Sequence, residues 1–400
     1  MSKVRLLAAA ALLAFGLAAH AGTRVQAANL TYQGKFSVPT SEATCNGAGN
    51  TLGWMAPGMT YHPANDSLYL FGRDAQGSCV AEISTPAING TATFLQSLND
   101  CTNGHLGDIP GSGNAVIGGG LLVYNGKLWC NYFAYYDSGF QQTASLFSHG
   151  LTLSNHTGAT GPAVIANGGT QAGYVSGYMA HVPAAWQAAL GGPVVVGNCC
   201  LSVITRTSYG PALFGFNPES PGTSSPLVYY NSAHPTLGTF GEEGPPANTA
   251  FSPTTKVTGV ALIEGTDSAL FFGSTGTGAY CYGTGTACSD PSSDASGVHM
   301  YPYRARVWAY DLDDLAAVKA GTIQPWQAVP YAMWELSDLG NTTDVDNGLC
   351  GIGYDAANST LYICKMRQQA NGIPDIHVYT LTGLGGGLLP GPSNFRRIPQ

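Results

Sequence analysis

Residues 58–72 read G-M-T-Y-H-P-A-N-D-S-L-Y-L-F-G, and the same pattern occurs twice more in the chain. Residues 259–273 read G-V-A-L-I-E-G-T-D-S-A-L-F-F-G, and residues 351–364 read G-I-G-Y-D-A-A-N-S-T-L-Y-I-C. Each copy consists of an apolar strand, a short turn rich in Asn, Asp or Ser, and a second apolar strand, which is typical of a β-hairpin. Similar hairpins repeated along a chain indicate radial repetition, so the sequence predicts a β-propeller.

The composition agrees with a turn-rich all-β protein. Charged residues make up 10% of the chain, against about 25% in average domains, while Gly (54) and Pro (24) are abundant. No linker-like stretch divides residues 22–400, so we expect a single β-propeller domain there, as repeat folds permit. The net charge is −8 and no cluster of Lys or Arg is present, which predicts no nucleic-acid partner.

Residues 1–21 have the features of a secretory signal peptide. A short basic start precedes an apolar run at residues 6–19, and Ala19-His20-Ala21 forms an A-x-A cleavage site. The run is shorter than the ~20 residues that a membrane span needs, and no later segment is apolar enough to span. Ten cysteines fit an oxidising compartment. We therefore expect a secreted or periplasmic protein with no membrane span in its mature chain.

The strands can be grouped into five blades, each of four antiparallel strands named A to D from the inside outward. The predicted strands are 57–62, 67–72, 79–84 and 91–98; 120–124, 127–132, 143–148 and 162–166; 193–197, 201–206, 212–217 and 226–231; 257–263, 268–273, 305–311 and 329–336; and 350–354, 360–364 and 375–381. Blade 5 lacks an outer strand, and the unassigned strand at 30–38 is predicted to supply it and close the ring. One short helix is expected in blade 4 at 312–320, capped by Asp311 and ended by Gly321.

In a propeller the A–B and C–D turns lie on one face, and the B–C and D–A connections lie on the other. The A–B turns are all predicted to be short, whereas the D–A connections 101–118, 168–192, 232–256 and 337–349 and the B–C connection 274–304 are long. Function commonly lies on elaborated loops of a rigid scaffold. We therefore predict that this second face, the long-loop face, is the working face; the alternative is that its loops merely cover the channel.

Three carboxylates are the first candidates for catalysis. Asp344 and Asp346 stand just before the predicted inner strand of blade 5, and Glu243 precedes that of blade 4. Strand alternation would direct Asp344 and Asp346 to one side, where paired carboxylates could act as acid and base in glycoside cleavage. They could also bind calcium, but the full calcium-loop motif is absent, so no metal site is predicted.

A second candidate group lies in the long loop of blade 4. Residues 299–304 read H-M-Y-P-Y-R, and a His299–Tyr303 pair could remove a proton next to a uronic carboxylate, with Arg304 neutralising that carboxylate. Tyr301, Arg304 and Arg206 are accordingly predicted to bind substrate. The alternative is that Tyr301 and Tyr303 simply pack the base of the loop.

The spacing of the cysteines predicts two disulfides. Cys281–Cys288 would close the blade 4 loop, and Cys350–Cys364 would join two strands of a hairpin. The adjacent Cys199 and Cys200 are expected to bridge to different partners, because a disulfide between neighbours is strained. The connectivity of the remaining cysteines stays open.

Several stretches resemble a group of exported bacterial proteins with propeller-like repeats. They include F-F-G-S-T-G-T-G-A-Y-C-Y-G at 271–283, P-Y-R-A-R-V-W-A-Y-D at 302–311 and P-W-Q-A-V-P-Y-A-M-W at 325–334. The resemblance implies a secreted repeat protein and transfers no catalytic residue. At the level of the fold alone, five-bladed propellers look like the scaffold of several glycosidase families, although one fold hosts many functions.

Two functions remain open. The first is a carbohydrate-active enzyme, a glycoside hydrolase or polysaccharide lyase, acting on extracellular carbohydrate through the long-loop face. The second is a non-catalytic binding or surface protein that uses the same face. The sequence lacks G-x-S-x-G, H-E-x-x-H, C-x-x-C-H and Walker motifs, which disfavours common serine hydrolases, zinc proteases, cytochromes and nucleotide-driven enzymes. Any cofactor is left unknown.

Overall fold

The fold is a five-bladed β-propeller, as the sequence predicts. The computed structural model describes residues 22–40, 43–45, 48–73, 79–111, 113, 115–230, 233–234, 238–239, 250–291, 294–340, 348–366, 368–369 and 372–384. Within these ranges the chain forms five four-stranded antiparallel sheets. The innermost strand of each sheet contacts those of the two neighbouring sheets, so the five inner strands form a closed ring.

The strands of each blade follow from inside to outside. Blade 1 contains Met59–His62, Ser67–Phe71, Cys79–Ser84 and Phe94–Asp100. Blade 2 contains Val116–Tyr124, Lys127–Ala134, Leu146–Gly150 and Thr160–Ala163. Blade 3 contains Met179–His181, Val194–Val196, Leu213–Phe216 and Ser224–Val228. Blade 4 contains Lys256–Leu262, Ser268–Gly276, Tyr303–Asp311 and Ala332–Glu335. Blade 5 contains Leu349–Asp355, Thr360–Lys365, Asp375–Leu381 and Leu30–Ser37.

Short elements decorate the connections between these strands. Three small hairpins pair Ala43–Cys45 with Ala48–Asn50, Ala233–His234 with Gly238–Thr239, and Cys281–Gly283 with Gly297–His299. The α-helices are Gln187–Leu190 and Leu312–Lys319. The 3₁₀ turns are Ala27–Asn29, Leu106–Asp108, Ala172–Val175, Ala184–Trp186, Val203–Thr205, Pro325–Gln327 and Ser337–Leu339. Within the described ranges, no helix is long and apolar enough to cross a membrane.

The first strand of the fold closes the ring. Leu30–Ser37 pairs with Asp375–Leu381, and both Phe36 within this strand and Val38 just after it are buried. The chain just before it is anchored on blade 4, where the backbone N–H of Val25 donates to Ser268 Oγ over 2.9 Å. The N-terminal segment therefore supplies the outer strand of blade 5, as predicted from the sequence, and also fastens blade 4.

Close packing between blades depends on glycine at the inner strands. A Cβ on Gly120, in the inner strand of blade 2, would lie 2.2 Å from the carbonyl oxygen of Gly177, just before the inner strand of blade 3. Further out, bulky aromatic side chains fill the interface between blades 3 and 4. There the hydroxyl groups of Tyr230 and Tyr310 lie 2.6 Å apart, and Trp308 Nε1 donates to the Ala250 carbonyl over 2.7 Å.

The predicted helix of blade 4 is present with its predicted cap. It runs over Leu312–Lys319, and Asp311 Oδ1 accepts a hydrogen bond from the backbone N–H of Asp313 over 2.9 Å. Gly321 follows the helix with φ +73°, a conformation that favours glycine. The carboxylate therefore satisfies an N–H group that the first helical turn leaves unpaired.

The strand assignment predicted for blade 3 is wrong in its inner half. The segment predicted as inner strand, 193–197, forms the second strand, and 201–206 is a connection with a 3₁₀ turn. The actual inner strand, Met179–His181, lies within the predicted 168–192 loop. Three residues are too few to display strand alternation. The apolar segments 193–197 and 201–206 look more like strands and are therefore predicted as the inner pair. The A–B connection 182–193 is therefore long and holds a second helical turn, contrary to the prediction that all A–B turns are short.

Candidate binding face

The long-loop face is formed by the B–C and D–A connections of the five blades. It carries most of the large apolar side chains that are exposed among the described residues. Ten large apolar side chains are exposed among the described residues, and seven of them lie on these connections. The seven are Trp54, Tyr136, Phe140, Val203, Ile204, Tyr282 and Tyr301. The other three, Leu95, Val164 and Met333, lie in or next to outer strands.

The B–C loop of blade 2 holds two of these aromatic residues in a well-anchored turn. Asp137 is buried, and its carboxylate accepts hydrogen bonds from the backbone N–H groups of Gln141 and Gln142 over 2.8 and 2.7 Å. The side chain of Gln142 in turn accepts from the backbone N–H of Ala134 and donates to a strand carbonyl. Tyr136 and Phe140, which are 53% and 44% exposed, therefore stand on a rigid loop.

A shallow depression lies beside this loop, between blades 2 and 3. It is open to solvent and is lined by Ala134, Asp137, Phe140, Gln142, Gln171, Ala172, Gly173, Leu201, Thr205 and Thr207. The two blades are tied together at its edge, where Thr205 Oγ1 donates to the carbonyl of Tyr135 over 3.0 Å. The position of the blade 3 loop is thereby fixed relative to blade 2.

Two predicted catalytic residues, His299 and Tyr303, are buried under the long loop of blade 4. The Tyr303 hydroxyl donates to Asp290 Oδ2 over 2.7 Å, and His299 Nδ1 lies 2.9 Å from the same oxygen. His299 Nε2 lies 3.0 Å from the carbonyl of Ala295. The two side chains are 2% and 1% exposed. Their polar atoms thus hold the loop together, and their catalytic role stays a prediction.

Electrostatics favour a charged His299 in this cluster. Burial disfavours the imidazolium, but the hydrogen bonds with Asp290 and the Ala295 carbonyl outweigh it and raise the pKa of His299 above its usual range. Each ring nitrogen lies next to an acceptor oxygen. Only the doubly protonated imidazolium can donate a hydrogen bond from both nitrogens. The disulfide Cys281–Cys288 closes the same loop, so covalent and ionic links act together on it.

The predicted substrate-binding residues of this loop lie on its surface. Tyr301 is 40% exposed and packs edge-on against Tyr303, with ring centroids 6.3 Å apart. Arg304 is directed at the outer strand of the blade, where its Nε lies 3.5 Å from Glu335 Oε2. Tyr301 is therefore available to a ligand, whereas Arg304 has an ion-pair partner within the protein.

Arg206 lies on the B–C connection of blade 3, not at the end of a strand as predicted. Its guanidinium lies over the ring of Tyr209, with Cζ 5.7 Å from the ring centroid. Tyr135 of blade 2 and Tyr280 of blade 4 are also close enough to influence it electrostatically. The residue still belongs to the long-loop face, because B–C connections lie there.

The three predicted catalytic carboxylates, Asp344, Asp346 and Glu243, lie outside the described residues. Their role as acid, base or nucleophile stays a prediction. Within the part of the chain that is described, no three His, Cys, Asp or Glu side chains come together in a group that could hold a metal ion.

The cysteines correct one prediction. Cys281–Cys288 and Cys350–Cys364 are paired as expected, and Cys45 is bonded to Cys79. Cys199 and Cys200, however, form a disulfide with each other instead of bridging to separate partners. The two cysteines that belong to no disulfide, Cys101 and Cys130, are buried in the core between blades 1 and 2 beside Tyr132, whereas Cys199 belongs to a different core cluster.

Comparisons with known proteins reveal a likeness of fold alone. Neither a protein-family model nor a curated protein matches the sequence. An exo-1,5-alpha-L-arabinanase from a bovine ruminal metagenomic library is similar at 11% identity and TM-score 0.42, over 86% of this chain and 99% of that one. A mutant of Cellvibrio cellulosa alpha-L-arabinanase is similar at 12% identity and TM-score 0.39, over 81% and 90%. Chaetomium thermophilum Raptor is similar at 11% identity and TM-score 0.31, over 89% and 30%. At these values the likeness assigns no residue and no activity.

Sequence reasoning missed most of the aromatic residues of the face. Tyr135, Tyr136 and Phe140 come from Y-Y-D-S-G-F at 135–140, and Tyr280 and Tyr282 come from G-A-Y-C-Y-G at 278–283. The sequence pattern that could have revealed them is the concentration of aromatic residues in turn-rich stretches between the second and third strands of a blade. Apolar residues in loops that do not continue a strand pattern are candidates for a binding surface.

Proposed function

We propose that this protein is a secreted propeller that binds extracellular carbohydrate on its long-loop face. The observation that carries the proposal is the gathering of exposed aromatic side chains on that face. A sugar ring presents both C–H groups and hydroxyls, and the amphipathic rings of Tyr and Trp match both. Rigid aromatic side chains on anchored loops lose little conformational entropy on binding.

The remaining features of the chain favour an extracellular ligand of this kind. The four disulfides are of the sort that persists in an oxidising compartment. We propose that residues 1–21 are the signal peptide that directs export and that residues 22–400 form the mature domain. With net charge −8 and no basic cluster, the protein is poorly suited to nucleic acid.

Affinity electrophoresis through gels that contain neutral and acidic polysaccharides tests the binding proposal. Tyr136→Ala and Tyr282→Ala remove side chains that are 53% and 67% exposed on the face. Each should weaken binding by about 1–2 kcal/mol, the contribution of a contacting aromatic residue. Leu95→Ala is the matched control, because Leu95 is 48% exposed on an outer strand of blade 1. The proposal fails if no polysaccharide retards the protein, or if the control variant behaves like the other two.

A second candidate function is hydrolysis or β-elimination of the bound polysaccharide. One observation favours it: the inner strands Lys256–Leu262 and Leu349–Asp355 both begin at the long-loop face. Glu243, Asp344 and Asp346 precede these strands in the sequence, and two carboxylates on opposite sides of a bound sugar can act as acid and base or nucleophile. Asp346 is the residue on which this candidate most depends.

The enzymatic candidate requires its own assay. A panel of polysaccharides would be tested for new reducing ends and for unsaturated uronic products. Asp346→Asn should abolish turnover and retain binding, because the amide keeps the size of the side chain and loses its charge. Asp313→Asn, in the first turn of the blade 4 helix on the opposite face, is the control and should leave turnover unchanged. If the unmodified protein binds polysaccharide without any turnover, the enzymatic candidate is rejected and the non-catalytic binding function is retained.

A further inference from the structure

We propose that Arg206 is the anion-binding centre of the long-loop face, and that the preferred ligands are polysaccharides whose sugar rings bear carboxylates. This rests on the proposed carbohydrate-binding function and narrows its ligand to one chemical class. Arg206 is one of only 15 Lys and Arg residues in this 400-residue chain.

Arg206 is partly buried and has no anionic partner among the residues that the structure describes. No described carboxylate lies within ion-pair distance of its guanidinium, and no oxygen of a described residue accepts a hydrogen bond from it. Other described arginines differ, because Arg24 pairs with Asp311, and Arg304 and Arg306 pair with Glu335. The guanidinium of Arg206 therefore keeps its donors available to a ligand.

Among the described residues, the ring of Tyr209 contacts the guanidinium, but no oxygen takes the place of the water that burial removes from it. Burial lowers the pKa of Arg206 below its usual value, although an arginine remains charged at any physiological pH. A partly desolvated cation without an acceptor is unfavourable. A ligand carboxylate can restore the lost interactions, because its two oxygens match the planar fork of a guanidinium in a bidentate pair.

The groups around Arg206 fit a sugar ring that carries the anion. Tyr209, Tyr135 and Tyr280 come from three adjacent blades and are partly exposed. Their hydroxyls and ring faces can contact the hydroxyls and C–H groups of a saccharide. A simple inorganic anion would bind the guanidinium but would not contact the tyrosine rings. The composition of the site therefore favours an acidic saccharide.

The site is held in place before any ligand binds. Thr205, the residue before Arg206, donates from Oγ1 to the Tyr135 carbonyl over 3.0 Å. The backbone N–H of Tyr209 donates to the carbonyl of Tyr230 over 3.1 Å, and Tyr230 belongs to the aromatic core between blades 3 and 4. Preorganisation of this kind reduces the entropy lost on binding.

The test compares an oligogalacturonide with its fully methyl-esterified form, which has the same sugar backbone and no charge. Isothermal titration calorimetry on the full-length secreted protein would measure both. The unmodified protein should bind the acid about tenfold more tightly than the ester, the advantage expected of one charge-assisted pair. Arg206→Gln should remove this preference and leave the affinity for the ester unchanged. Arg306→Gln is the control, because Arg306 is paired with Glu335, and it should retain the preference.

Arg206→Lys is the second variant, since it keeps the charge without the bidentate fork and should retain only part of the preference. The proposal is overturned if the unmodified protein binds acid and ester equally, or if Arg206→Gln weakens both to the same extent. If neutral polysaccharides bind while the acid has no advantage, the anion site is rejected and the carbohydrate-binding function stands. If no polysaccharide of either kind binds, both are rejected.

Discussion

Leu30 lies opposite Leu381 in the antiparallel ladder that completes blade 5. The pairing joins the beginning of the described chain to the last of its strands, and it continues to Ser37 opposite Asp375. Because the first described strand supplies the outer strand of blade 5, the ring is not complete until the first and last of the described strands have met. The stability of the whole ring should therefore depend on this one strand.

Deleting residues 28–38 should destabilise the entire propeller by several kcal/mol. The deletion removes the buried Phe36 and Val38 together with the whole outer ladder, and truncating one buried Phe alone costs about 3–5 kcal/mol. Chemical denaturation would measure the loss. The point variant Phe36→Ala tests the same contact with less disturbance, and Gln33→Ala, exposed on the same strand, should change stability by less than about 0.5 kcal/mol. An unchanged melting temperature after the deletion would reject the closure scheme.

Non-reducing peptide mapping should recover four disulfides and leave two cysteines as thiols. The expected links are Cys45–Cys79, Cys199–Cys200, Cys281–Cys288 and Cys350–Cys364. Cys101 and Cys130 should resist iodoacetamide in the native protein, because both are buried and burial raises the pKa of the Cys130 thiol, which keeps it in the unreactive form. Both should react once the protein is unfolded without reductant. Failure to label them in guanidinium chloride would reveal a fifth disulfide.

The stability of the blade 4 loop should fall as the pH rises past neutrality. The pKa of His299 is raised in the folded protein, so its contribution is complete below the unfolded value of about 6.5 and is lost as the pH rises through the folded value. The difference in melting temperature between the unmodified protein and His299→Gln should be larger at pH 6 than at pH 8.5. His105→Gln, which removes an exposed histidine paired with Asp108, should produce a small difference at both values. A constant effect of His299→Gln across this range would contradict the charged-pair interpretation.

Gly120→Ala should destabilise the protein by about 1–3 kcal/mol, the usual cost of overpacking. The added methyl group would meet the carbonyl oxygen of Gly177 at 2.2 Å, so the inner strands of blades 2 and 3 would have to separate. Gly222→Ala is the control, because a methyl group added at Gly222 would meet no atom within 4 Å. Equal stabilities for the two variants would mean that the blades are not packed as closely as the structure indicates.

Long strands with clear alternation were predictable, and short ones were not. Residues 79–84 and 375–381 fold as the strands that the sequence predicts. In blade 3 the inner strand Met179–His181 has only three residues and escapes any pattern of period two. Its strand character comes from pairing with Val194–Val196, a contact that local sequence does not encode.

The candidate site was predictable as a face of the disc and not as a set of contacts. Loop lengths led to the prediction of this face, because connectivity in a propeller determines which connections share a side. The burial of His299 depends on Asp290, which the disulfide-closed loop brings within 2.9 Å. The surroundings of Arg206 depend on packing among three blades. Both are tertiary properties, since neither the burial of a side chain nor its contacts with other blades can be read from neighbouring residues.

The pairing of Leu30–Ser37 with Asp375–Leu381 also bears on how the chain folds. Among the described strands, Leu30–Ser37 comes first along the chain and its partner Asp375–Leu381 comes last. Until the later strand has been synthesised, the hydrogen-bonding edge of the earlier strand has no partner within blade 5, and the edge of the later strand then stays open until the two strands meet. Contacts between such distant segments form slowly, and an open edge invites pairing with other chains. Ring closure should therefore be a late step of folding that is sensitive to aggregation. A molecule that bound Leu30–Ser37 would prevent ring closure until it dissociated.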